Sequence, residues 1–184
     1  MAFHDQMRKL WEDHVTWTRL TIVSAVGGAN GEALPDTGPT LGRLQANQDD
    51  IAAAIVPYFG QAAGDQLAAL LHEHISGAVT LVLAAKAGDT AAVEAAKTAW
   101  YANGQQIADL AGANPRFWPQ DTMREAMQMH LDQTLKEAVD HLQGTNNYAD
   151  DIDDYEQAHQ HILAMADLLS SGIIRRFPDR FDED

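Results

Sequence analysis

Apolar side chains return every three or four residues along almost the whole of this chain, in long stretches cut only by short runs of Gly, Pro, Asn and Asp. That period matches one face of an α-helix. No stretch alternates with a period of two, and no hairpin dipeptide stands between β-branched runs, so the sequence offers nothing to a sheet. The fold class it dictates is all-α.

Phe3, Met7, Leu10, Trp11, Val15, Trp17, Ile22 and Val26 mark a first helix, which Gly27-Gly28 stops. A loop at 27–40, rich in Gly, Pro, Asn and Asp, follows it. Two short connecting helices are expected next, over 41–46 and 48–56, with Asn47 as N-cap of the second and Pro57 near its stop. A long helix is expected over 61–87, then a tight Gly88-Asp89-Thr90 turn and a helix over 91–111 ended by Asn114-Pro115. Thr122 and Glu125 have the spacing of a capping box for a helix running to Gln143, with Gly144 beyond it. The last helix starts among Asp150, Asp151, Asp153 and Asp154 and ends near Arg175-Arg176, charges that suit the helix dipole at both ends. The acidic run there reads as a solvated helix start.

Short links favour antiparallel neighbours. The expected architecture is therefore one domain over 1–184, an antiparallel up-and-down bundle of four long core helices. One further helix, short connecting helices and an acidic C-terminal tail at 178–184 complete it.

The chain has no cysteine, which removes disulfides, thiolate metal sites, iron–sulfur clusters and thiol nucleophiles. Acidic residues number 27 against 12 basic, a net charge of −15 that repels nucleic acid and anionic membranes. No run of 18 apolar residues is visible, and the N-terminus has no basic region leading into an apolar core, so a cytoplasmic location is expected. The Gly27–Gly31 cluster follows a helix and lacks the Gly-Lys-Ser/Thr ending of a phosphate loop. No nucleophile elbow, His-Glu-x-x-His pair or calcium loop is present.

What stands out is the placing of the histidines. His14 lies about 16 Å along the first helix, at its midpoint. His74, His130 and His159 are each central in theirs, with His161 one face over from His159. Antiparallel helices of similar length bring their midpoints to one depth, so four inward imidazoles could converge on a single point. Imidazole suits zinc, copper or iron, and could also ligate a haem axially. Trp11 and Trp17, three residues either side of His14, are placed to wall a cofactor. Glu12, Glu73, Asp132 and Glu137 are candidate extra ligands or partners of the ligands. Met123, Met127, Met129 and Met165 would bias such a site toward copper, or fill core gaps. A di-iron centre needs two Glu-x-x-His units, and only Glu156-Gln157-Ala158-His159 is present.

The stretch Leu10-Trp11-Glu12-Asp13-His14-Val15-Thr16-Trp17-Thr18-Arg19 resembles an uncharacterised bacterial family of small helical proteins with a W-x-x-H-V-x-W-T-R motif. Trp100–Asn103, Met129–Asp132 and Met165–Asp167 extend the resemblance over most of the chain. It implies a compact helical protein. Enzyme labels carried by members, such as glycosyltransferase or acetylglutamate kinase, call for a doubly wound sheet or nucleotide loop that this pattern lacks, so no activity is carried over.

Three functional classes follow from the residues. The first is a bundle binding a transition metal (zinc, copper or iron) through His14, His74, His130 and His159 or His161, for metal binding, sensing or redox. The second is a haem protein with two histidine axial ligands. The third is a structural or interaction protein whose histidines are satisfied within the core. A homodimer is compatible with all three.

Overall fold

The computed structural model describes residues 2–27, 31–144 and 147–181. Part of the expected 27–40 loop and the end of the expected acidic tail lie outside the described residues. Six long helices carry the chain: α1 (Ala2–Val26), α2 (Thr37–Phe59), α3 (Gln61–Ala87), α4 (Thr90–Gly112), α5 (Gln120–Gln143) and α6 (Tyr148–Arg176). A short 3-10 turn, Pro178–Arg180, follows, and there is no strand among the described residues.

Most helix limits fall where the breakers put them, but the segment from 37 to 59 differs. In place of two short helices it forms one helix of 23 residues. Pro39 sits in its first turn, where the missing N–H has no partner to lose. Asn47 caps nothing. It is fully buried, and its side-chain amide donates to the Leu10 carbonyl of α1 at 3.0 Å, while Gln48 beside it donates to the Leu44 carbonyl at 2.8 Å. A tertiary hydrogen bond has taken the side chain that the local pattern assigned to a cap.

The start of α5 also moves. Pro119 precedes it, with φ −55°, and Gln120 and Arg124 of the first turns bond Asp109 of α4. Thr122 is therefore the third residue of the helix and forms no capping box. α4 has the cap its sequence calls for, with Asp89 accepting from the Ala92 amide at 3.0 Å. Between α2 and α3 the link is Gly60 alone, at φ +84°, a conformation that side chains resist.

Each helix packs on the next in sequence, and α6 packs back on α1. The contacts run in opposed register: Phe3 meets Tyr58 and Leu10 meets Asn47 as α1 ascends and α2 descends. Arg8 meets Asp167 and Arg19 meets Asp151 across α1 and α6. Within this ring α1, α3 and α5 also touch one another. The odd-numbered helices are thus pressed inward. One core cluster joins Met7, Trp11 and Val15 of α1 to Leu71, Trp100, Leu131 and Ile162 from the helices around it. Burying a side chain of this size stabilises the fold by about 1.5–3 kcal/mol.

α3 contains a window of mean hydropathy 1.5, long and apolar enough by length and composition to cross a membrane, a span the sequence reading did not mark. It is rich in alanine and packs between α2 and α4.

Candidate functional site

His14, His74 and His130 come from α1, α3 and α5, the three helices that meet at the centre. All three are nearly inaccessible, at 2%, 4% and 4% exposure. The ring centroids of His14 and His130 are 5.8 Å apart, and those of His74 and His130 are 6.1 Å apart. Each ring sits near the middle of a helix of similar length (25, 27 and 24 residues), which brings the three to one level.

Each ring is held differently. His74 Nδ1 donates to Asn103 Oδ1 at 3.1 Å, and the same Asn103 donates to the Leu70 carbonyl. That bond fixes the tautomer and leaves the Nε2 lone pair of His74 free. Trp100 stacks on the ring at 5.2 Å and donates its indole N–H to the His74 carbonyl. Trp11 packs edge-on to His14 at 5.5 Å. The Nδ1 atoms of His14 and His130 are buried without a hydrogen-bond partner. A buried polar group left so costs about 1–3 kcal/mol, a debt that an ion or a bound molecule can cancel.

Burial makes these imidazoles neutral. It drives His14 down to about 3, helped by the nearby His74 and opposed by the Gln48 side chain. Burial likewise lowers His74 to about 4, opposed by its bond to Asn103. His130 falls well below the ordinary value, by burial first and then by His14, His74 and His161 around it.

The other predicted residues lie elsewhere. His159 is one-fifth exposed, with Nε2 3.3 Å from Glu12 Oε1 and its ring stacked on Tyr155. The buried face of α6 carries Asp151, Asp154, Ala158, Ile162, Met165 and Ala166, and leaves His159 at its margin and Ile152 exposed. His161 donates Nε2 to the Ala126 carbonyl at 2.8 Å. Trp17 is half-buried beneath the Arg43 guanidinium. Asp132 accepts from Tyr101 at 2.6 Å at the surface. Among the described residues no group of three or more His, Asp or Glu side chains is arranged to hold a metal ion as it stands.

A second polar centre was missed from sequence. Arg19 of α1 bonds Glu137 of α5 at 3.1 Å and grips both carboxylate oxygens of Asp151 on α6. His141 joins from α5, its Nδ1 2.8 Å from Asp151 Oδ2. Glu137 and Asp151 are about 1% and 0% exposed. Of the acidic start of α6, Asp150 and Asp153 are exposed as a solvated helix start would be, but Asp151 and Asp154 are buried, and His141 is buried beside Asp151. Burial raises the Glu137 carboxyl to about 7, against the pull of Arg19. The signal available was charge opposite charge: a lone Arg on the inner side of α1 needs an acid, and an acidic run that loses its hydration needs a base.

No protein-family model, curated protein or solved structure matches this chain.

Proposed function

We propose that the chain is a metal-binding protein, an antiparallel up-and-down bundle that holds one transition ion among His14, His74 and His130. The observation that carries this reading is three neutral imidazoles at the meeting of three helices, two of them with a buried ring nitrogen that lacks a partner. Neutral imidazole is the ligating form, and these rings stay neutral well below pH 7. An N–metal bond of about 2.0–2.1 Å puts a ring centroid roughly 3 Å from the ion, and two such rings roughly 5–6 Å from each other. The observed spacings of 5.8 and 6.1 Å are close to that.

Three neutral ligands in an apolar core favour a low charge on the ion, because desolvating a divalent ion costs far more than a monovalent one. Met127 lies one turn before His130, and Met7, Met123 and Met165 are buried with it. Thioether surroundings and imidazole together suit Cu(I) over zinc. His159 and His161 keep their present partners in this reading.

The test is elemental analysis and copper titration of protein purified without a polyhistidine tag, with absorption spectra before and after haem addition. About one equivalent of copper is expected, lost in His130→Ala and kept in His159→Ala. A Soret band that disappears with the same variant would replace this reading by the bis-histidine haem protein. Uptake of neither copper, zinc, iron nor haem leaves the three rings as structural residues of the core.

A further inference from the structure

Between the histidine level and the end of the bundle that carries Phe59 and Asn114 lies a cavity of about 260 Å³ to which all six helices contribute. Its walls are apolar, with Met7, Leu67, Ala108, Met123 and Met165 among them. Empty apolar space on this scale is unusual in a packed interior, and an engineered void of about 150 Å³ already admits benzene. At about 30 Å³ per water-sized group, it has room for on the order of nine such groups.

The cavity has an orphaned donor toward each end. At the inner end Trp11, 6% exposed, lines it with an indole N–H that has no acceptor. Arg176 does not itself line the cavity, but it lies against two residues at the outer end that do, Phe59 and Asn114. Its guanidinium lies over the rings of Phe59, Phe117 and Phe177 and donates to Asn114 Oδ1 through Nη1, while its buried Nε has no partner. Among the described residues no carboxylate pairs with Arg176, in a chain where acids outnumber bases by 27 to 12. A cation held against aromatic rings beside an apolar cavity calls for an anionic group on an apolar body.

We propose that this cavity binds a medium-chain monocarboxylate of roughly eight to ten carbons, its carboxylate on Arg176 and its chain running inward toward Trp11. No histidine lines the cavity, but Met7, Met123, Met127 and Met165, which surround the proposed metal site, also form part of its wall.

The test is calorimetric titration of the full chain with decanoate below its micelle concentration, followed also by fluorescence, since Trp11 and Trp118 both line the cavity. Saturable binding of one equivalent is expected, with 1-decanol as the uncharged control. Arg176→Gln is expected to weaken decanoate at least tenfold and leave decanol within twofold. Ala108→Leu, which fills the cavity, is expected to abolish both. Absence of saturable decanoate binding to the wild type, or equal affinity in Arg176→Gln, would overturn the proposal, and the second variant decides it even where the first fails to fold.

Discussion

The two halves of the bundle, on either side of the level of His14, His74 and His130, are held together by different physics. Toward Phe3 and Phe59 the interior is methionine and aromatic, with about 260 Å³ left open. Toward Ala25 and Gly88 the apolar core closes around a void of about 40 Å³, and beside it Arg19, Glu137, His141 and Asp151 bind α1, α5 and α6 by charge. The first half relies on non-directional burial and can accommodate a change of contents. The second has fixed partners, and each group there is costly to leave alone.

The hardest blow to this comparison falls on Asp151. Asp151→Ala leaves the Arg19 charge half-satisfied and His141 without an acceptor, and a loss of about 3–5 kcal/mol in denaturant unfolding is expected. A loss under 1 kcal/mol would mean that the charged half is not held by this network.

Acid sharpens the contrast next. The three central histidines titrate in the folded protein far below the ordinary imidazole value, so between about pH 6.5 and 4.5 the unfolded chain takes up three protons that the folded one refuses. Stability is therefore lost as pH falls through that window. Glu137 has the opposite sign, because its raised value of about 7 makes the folded state hold a proton that the unfolded one releases above its ordinary range. Three groups against one leaves a net slope of about 3 kcal/mol per pH unit at about 1.4 kcal/mol per proton. Glu137→Gln removes the opposing group and should steepen the slope to about 4 kcal/mol per unit. Unfolding curves at half-unit steps of pH measure both, and a flat profile would show that the rings protonate in place.

The smallest effect compares packing directly. Ala138→Leu enlarges a 3% exposed residue beside the 40 Å³ void, and overpacking should cost about 1–3 kcal/mol. Ala108→Leu adds the same atoms beside the large cavity and should cost nothing or stabilise slightly. Equal costs in thermal unfolding would erase the difference between the halves.

How much of this was legible depends on whether a residue's role is local. The limits of α3, expected at 61 and 87 from its periodic stretch and the Gly88-Asp89-Thr90 turn, are Gln61 and Ala87 in the structure. The central position of His14, His74 and His130 follows from helix length alone. Asn47 could not be read correctly, because its partner is a carbonyl 37 residues away. Nor could the facing of His159 on α6: successive residues of a helix point about 100° apart, which separates Ala158 in the core from His159 beside Glu12. Asp151 looked like a dipole-friendly helix start, and only Arg19, 132 residues earlier, makes its burial affordable. The cavity leaves no mark in a single sequence, since each wall residue is an ordinary core side chain.

The ring of helices also bears on how the chain reaches its fold. Five of its six neighbour interfaces join helices consecutive in sequence, across links as short as Gly60 or Gly88-Asp89. Such local pairings give a low contact order, and hairpins of helices can form early and independently. The α6–α1 interface alone joins helices far apart in the sequence, where Phe181 rests 5.4 Å from Phe3 and Asp151 reaches Arg19. That closure carries the largest loop entropy, so it belongs to the late part of folding. Interactions absent from a transition state govern how fast a protein unfolds, and the buried charges that seal this seam are therefore placed where they set the lifetime of the native state.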